Sequence, residues 1–169
     1  MRTRTIPATV LTAVLLSGCA STTSSSPDSA STPAAPASAA PTADHVFEAI
    51  AARVKTAKLT GTVTAASDRN HLLGRPGQYS SKITFSDGRV SSNDASLYRA
   101  GDVELGGAVE AFSMPQEAQA RADYIRTVAQ SLPALAEYDF VHGSVLVRVS
   151  RYLTPQQAED YKRAAETLN

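Results

Sequence analysis

Past residue 43 the alternation of hydrophobic and polar positions changes period several times, and each change predicts an element. Across residues 44–58, Val46, Ile50 and Val54 recur at helical spacing with Phe47 and Ala51 beside them. Asp44 suits the N-terminus of that helix, and Lys55 and Lys58 suit its C-terminal dipole. Residues 59–65 read as a strand whose alternation (Leu59, Gly61, Val63, Ala65) is weak, because Gly and Ala carry little apolar area. Residues 79–85 alternate cleanly, with Tyr79, Ser81, Ile83 and Phe85 on one side and an Asp87-Gly88 turn beyond. Between these strands, residues 66–78 form a turn-rich loop, and residues 91–101 are polar and read as loop.

The C-terminal part is the most sharply patterned. Residues 103–112 predict a strand in which Gly106-Gly107 marks a bulge or a close backbone approach. Ser113-Met114-Pro115-Gln116 fits a capping box, opening a helix to about Ser131 with Ala118, Ala122, Ile125 and Val128 toward the core. Residues 138–141 and 144–151 predict two strands joined by a His142-Gly143 turn, with Val145, Val147 and Val149 on the buried face. Thr154-Pro155-Gln156-Gln157 repeats the capping box, with Pro at the first helical position. The last helix aligns Ala158, Tyr161, Ala165 and Leu168. The order α-β-β-β-α-β-β-α predicts an α+β fold, a two-layer antiparallel sheet with helices on one face. Its C-terminal β-α-β-β-α part is ferredoxin-like.

Ahead of this domain, which spans residues 44–169, the pattern is different. Residues 20–43 contain only Ser, Thr, Ala, Pro and Asp28, with prolines at 27, 33, 36 and 41. Nothing there builds a core, so residues 19–43 read as a tether, with a coil-like span of roughly 25–30 Å. Residues 1–18 combine Arg2 and Arg4 with an apolar run from Ile6 to Leu16, the layout of a secretory signal peptide. At its end, Leu16-Ser17-Gly18-Cys19 resembles the bacterial lipobox. That resemblance implies cleavage before Cys19 and a diacylglyceryl group on its sulfur. Two acyl chains at about 0.8 kcal/mol per buried methylene make a stable anchor. The expected location is the extracytoplasmic side of the cell membrane.

Charge and cysteine content narrow the partners. Lys+Arg and Asp+Glu number 16 each, and removing Arg2 and Arg4 with the leader leaves 14 against 16, a net −2. No run of like charge occurs, which argues against nucleic acid and against a polybasic membrane patch. Cys19 is the single cysteine, so no intramolecular disulfide forms. The membrane partner is therefore reached through diacylglyceryl-Cys19. Beyond it, an envelope protein or a small-molecule ligand is the remaining class of partner.

Chemistry concentrates in the loop before Tyr79. Asp68, Asn70, His71, Arg75 and Tyr79 are the candidate binding residues, with Arg69 beside them and Gly74, Pro76 and Gly77 as punctuation. On one reading, Arg75 in a Gly-Arg-Pro-Gly turn presents its fork to a carboxylate or phosphate. On the other, the Gly and Pro residues fix a long connection that Leu72 and Leu73 pin to the core. His45, His71 and His142 have no ligand spacing with one another or with Cys19, so no metal is expected. His142 suits a turn that needs left-handed backbone. No nucleophile elbow and no phosphate-cradling glycine loop is present, and no cofactor is expected. Glu110 and Arg148 sit on strands where they can pair across the sheet. The leading expectation is a non-enzymatic, lipid-anchored interaction or ligand-binding module. The alternative is a small cell-envelope hydrolase that uses His71 with Asp68 or a serine.

Asn70-x-Leu72-Leu73-Gly74-Arg75-Pro76-Gly77-Gln78-Tyr79-x-Ser81-Lys82 is similar to a segment of small secreted lipoproteins from actinobacteria and related Gram-positive bacteria. Gly106-Gly107-x-Val109-Glu110-x-Phe112, Arg121-x-Asp123-Tyr124-Ile125, Glu137-Tyr138 and Arg148-Val149-Ser150 resemble the same group. Arg69 departs from it, standing where Pro is expected. The resemblance implies location and fold and supplies no activity.

Overall fold

The computed structural model describes residues 41–168. The expected leader, lipobox, Cys19 and nearly all of the tether lie outside the described residues. The described elements are α1 (Ala43–Arg53), β1 (Ala57–Thr62), β2 (Ser81–Asp87), the short α2 (Ser92–Ala95), a 3-10 turn (Val103–Leu105), β3 (Gly106–Ala111), α3 (Pro115–Ser131), a second 3-10 turn (Pro133–Leu135), β4 (Glu137–His142), β5 (Val145–Ser150) and α4 (Pro155–Ala165). The strands make one antiparallel sheet in the order β1-β2-β3-β5-β4. The α+β class and the β-α-β-β-α order of the C-terminal part are those the sequence predicts.

One face of the sheet carries Ile83, Phe85, Val109, Val145, Val147 and Val149, covered by Val46, Phe47 and Ile50 of α1 and Ala158, Tyr161 and Ala165 of α4. Phe85 stacks between Phe47 and Tyr161, with ring centroids 5.4 and 5.2 Å away. This is the helix layer the pattern predicts. α3 is the crossover between β3 and β4, which run parallel with β5 between them. It lies over the other face, where Ala118, Ala122 and Ile125 meet Leu146, Phe112 and Tyr79.

Several boundaries move for local reasons. α1 begins at Ala43, capped by Thr42 rather than Asp44, and ends at Arg53, because Ala57 is already pairing with Asp87. β1 is an edge strand with a register irregularity between Leu59 and Gly61, and Leu59 is exposed. Ser113 does not cap α3. Pro115 takes the first helical position, so Met114 is the N-cap and Glu117 accepts from its backbone N–H at 3.1 Å. The β4–β5 turn is Gly143-Ser144, with Gly143 in the left-handed region at φ 53°. His142 therefore stays in β4, its Nε2 hydrogen-bonded to the Leu168 carbonyl. The Gly106-Gly107 pair is the expected close approach, without a bulge: a Cβ on Gly107 would lie 2.2 Å from the Arg148 carbonyl oxygen and 2.3 Å from Phe85 Cζ.

Candidate functional site

The loop that the sequence singles out is built around Asp68. Its carboxylate accepts from the backbone N–H of Asn70, Leu72 and Leu73 at 3.1, 2.8 and 2.8 Å and from the Tyr79 hydroxyl at 2.7 Å. Asp68 is only 3% exposed. Burial alone would raise its pKa, but the Tyr79 hydroxyl and the three N–H donors outweigh that and hold it at about 2. Tyr79 is pushed the other way, upward, by burial and by donating to Asp68. It sits before β2 and turns to the α3 face, opposite Ile83 and Phe85, so the expected shared face is corrected. The five candidate residues therefore do not converge. Asp68 and Tyr79 form a buried staple, while His71 and Arg75 face solvent. His71 itself adopts φ 53°, the conformation anticipated for His142. Asp68 and His71 are joined through the backbone, with the His71 N–H donating to the Asp68 carbonyl at 3.0 Å, and no side-chain hydrogen bond links them among the described residues. Asn70 is the member of the five that lines the cleft described next.

That cavity is a cleft of about 660 Å³ between the Asp68 loop, the Val103–Leu105 turn, α3 and the start of β4. Its wall is apolar at Leu72, Ile125, Val128 and Leu135, and Tyr124 stands 61% exposed at its edge. Its floor is charged, which sheet parity explains. On β2, β3 and β5 the residues facing α3 include Lys82, Glu110 and Arg148, while their neighbours Ile83, Val109, Val147 and Val149 face the main core. Glu110 is fully buried and accepts from Lys82 Nζ at 2.8 Å, Arg148 Nη1 at 3.0 Å and Arg121 Nε at 3.1 Å. Arg148 also forks onto Glu137, with Nε at 2.6 Å and Nη2 at 2.9 Å. Burial alone would raise the Glu110 pKa, but Arg148, Lys82 and Arg121 outweigh it and hold the carboxyl at about 2.

Two groups in this cluster are only partly satisfied. Asp139 lies opposite Arg148 in the β4–β5 register, and its buried Oδ1 has no hydrogen-bond partner among the described residues. Burial and the neighbouring Glu137 push its pKa up to about 8, against the pull of Arg148. The Arg121 side chain is 10% exposed and lines the cleft. Only its Nε hydrogen-bonds within the described residues; the guanidinium lies 5.7 Å from the Tyr124 ring centroid.

The expected pairing of Glu110 with Arg148 is present. Sequence reasoning missed the other members of this charged cluster: Lys82, Arg121, Glu137 and Asp139. A signal existed in the charged residues that break otherwise apolar strands, but which helix would face them was not readable. Among the described residues no cluster of His, Cys, Asp and Glu could hold a metal ion, and no helix is long and apolar enough to cross a membrane. No family model, curated protein or solved structure matches this chain.

Proposed function

We propose that this protein is a lipid-anchored extracytoplasmic binding module whose ligand site is the cleft beneath α3. The anchor half of the reading rests on the basic start, the apolar run and Leu16-Ser17-Gly18-Cys19. The binding half rests on one observation: a cleft of about 660 Å³ that sets hydrogen-bond donors beside exposed apolar side chains. That volume lies within the usual range for small-molecule sites, which combine an apolar wall with a few fixed polar groups. The Asp68–Tyr79 staple then has a positional role, because it sets Asn70, Leu72, Gly77 and Gln78 along one rim.

Two measurements separate the halves. In a bacterial host that processes lipoproteins, the wild-type chain is expected in the detergent phase with an acylated Cys19, and Cys19→Ser in the aqueous phase. Mass spectrometry finding an unmodified Cys19 would overturn the anchor. For the cleft, a fragment library screened by ligand-observed NMR should give hits that Ala120→Phe abolishes. Ala120 is exposed on α3 and lines the cleft, so the larger ring fills the cavity without entering the core. Hits indifferent to Ala120→Phe would remove the cleft from the proposal.

A further inference from the structure

Resting on the cleft as the ligand site, we infer that its ligand is a monocarboxylate with an apolar body, the carboxylate received by the free end of the Arg121 guanidinium. Three features carry this.

The first is the hydrogen-bond inventory of Arg121. An arginine has five N–H donors in a planar fork. Here Nε is given to Glu110, and the two Nη atoms make no hydrogen bond within the described residues although the side chain is nine-tenths buried. Neither Nη is sealed off from solvent without a partner, as Arg151 Nε is, and Arg121 is one of the residues that line the cleft. Side-by-side N–H groups in one plane match a carboxylate bidentately, a match that a single acceptor cannot fill.

The second is the charge of the floor. Lys82, Arg121 and Arg148 pair with two carboxylates, Glu110 and Glu137, while burial pushes the neighbouring Asp139 carboxyl up to about 8. Three cations stand over those two carboxylates, and the Arg121 Nη atoms are the donors that no carboxylate among the described residues takes up. Glu104 also lines the cleft and opposes a second anionic group, which limits the ligand to one carboxylate.

The third is the wall. Tyr124 stands beside that fork, Val128 and Leu135 line the same cleft, and Tyr124 and Leu135 are both exposed large hydrophobics. A small inorganic anion would leave this surface in water. An acid with an apolar tail covers it, and burial of that tail adds affinity in proportion to its apolar area.

The test uses the full chain carrying Cys19→Ser, so that no lipid competes for apolar probes. Hexanoate, decanoate and 4-phenylbutanoate are titrated by ligand-observed NMR beside hexanol, decanol and 4-phenylbutanol. At least one acid should bind about tenfold or more tighter than its alcohol, the usual scale of a charge-assisted hydrogen bond. Arg121→Gln should erase that difference while leaving alcohol binding unchanged. Circular dichroism checks that Arg121→Gln is folded; if it is not, Ala120→Phe with the acid-to-alcohol ratio in the unsubstituted cleft decides. Acids and alcohols binding equally, with Ala120→Phe abolishing both, would overturn the carboxylate and leave the cleft reading intact. Binding indifferent to Ala120→Phe, or no binding by any probe, would overturn the inference, and the fragment screen would then judge the cleft by itself.

Discussion

Replacing Glu110 by Gln tests the centre of the polar floor. Glu110 titrates at about 2 in the folded protein against an ordinary 4.5. At 1.36 kcal/mol per pKa unit, its environment favours the ionised form by roughly 3 kcal/mol. Gln keeps the size and removes the charge, taking from Lys82 and Arg121 the carboxylate they pair with and leaving Arg148 with Glu137. Removing one partner from a buried ionic group typically costs about 3–5 kcal/mol, and the same is expected here. That is a large share of the roughly 5–15 kcal/mol that holds a domain folded. The assay is urea unfolding followed by circular dichroism at pH 7, repeated down to pH 2. The unfolded chain protonates Glu110 near 4.5 and the folded chain at about 2. Between those values the unfolded state binds more protons, so wild-type stability rises with pH across that window and is complete above it. The gap between wild type and Glu110→Gln should therefore be full at pH 7 and close toward pH 2. A gap under about 1 kcal/mol at pH 7, or one independent of pH, would refute the account of a carboxylate held by three cations.

Other predictions follow from the same geometry. Asp68→Asn should lower stability by about 2–4 kcal/mol and Tyr79→Phe by about 1–2 kcal/mol, with the double variant well short of their sum because both remove one staple; additive losses in urea unfolding would argue against it. Gly107→Ala should cost about 3 kcal/mol or more, since its Cβ would sit 2.2 Å from a backbone oxygen in the middle of the sheet; a melting temperature within a degree or two of wild type would contradict this. Asp139 holds its proton up to about 8 when folded and gives it up near 3.8 when unfolded. The folded state therefore binds more protons between those values, and this group makes stability fall as pH rises through them. Asp139→Asn should match wild type near pH 4 and exceed it by more than ~1 kcal/mol at pH 8; parallel curves would dispose of the idea.

The sequence by itself determined the three long helices, the strands and the face of the sheet that α1 and α4 cover. Val145, Val147 and Val149 alternate, Val46 and Ile50 recur at helical spacing, and Thr154 with Gln157 caps α4, because such patterns depend only on neighbours along the chain. It also led to the Glu110–Arg148 pair, since two opposite charges on apolar strands have few other ways to be buried. What it could not determine was which residues of the polar loop remained available for a ligand. Asp68 looked like chemistry, yet its carboxylate is consumed by N–H groups two to five residues away and by a tyrosine eleven residues on. The cleft, in turn, exists because the β3–β4 crossover carries α3 over the face that bears Lys82, Glu110 and Arg148. Arg121 meets Glu110 there only because the ten intervening residues turn the chain back over the sheet. Spacing along a strand or helix is written into local periodicity, but the face a crossover helix covers depends on packing across the whole sheet. Only the folded chain decided that.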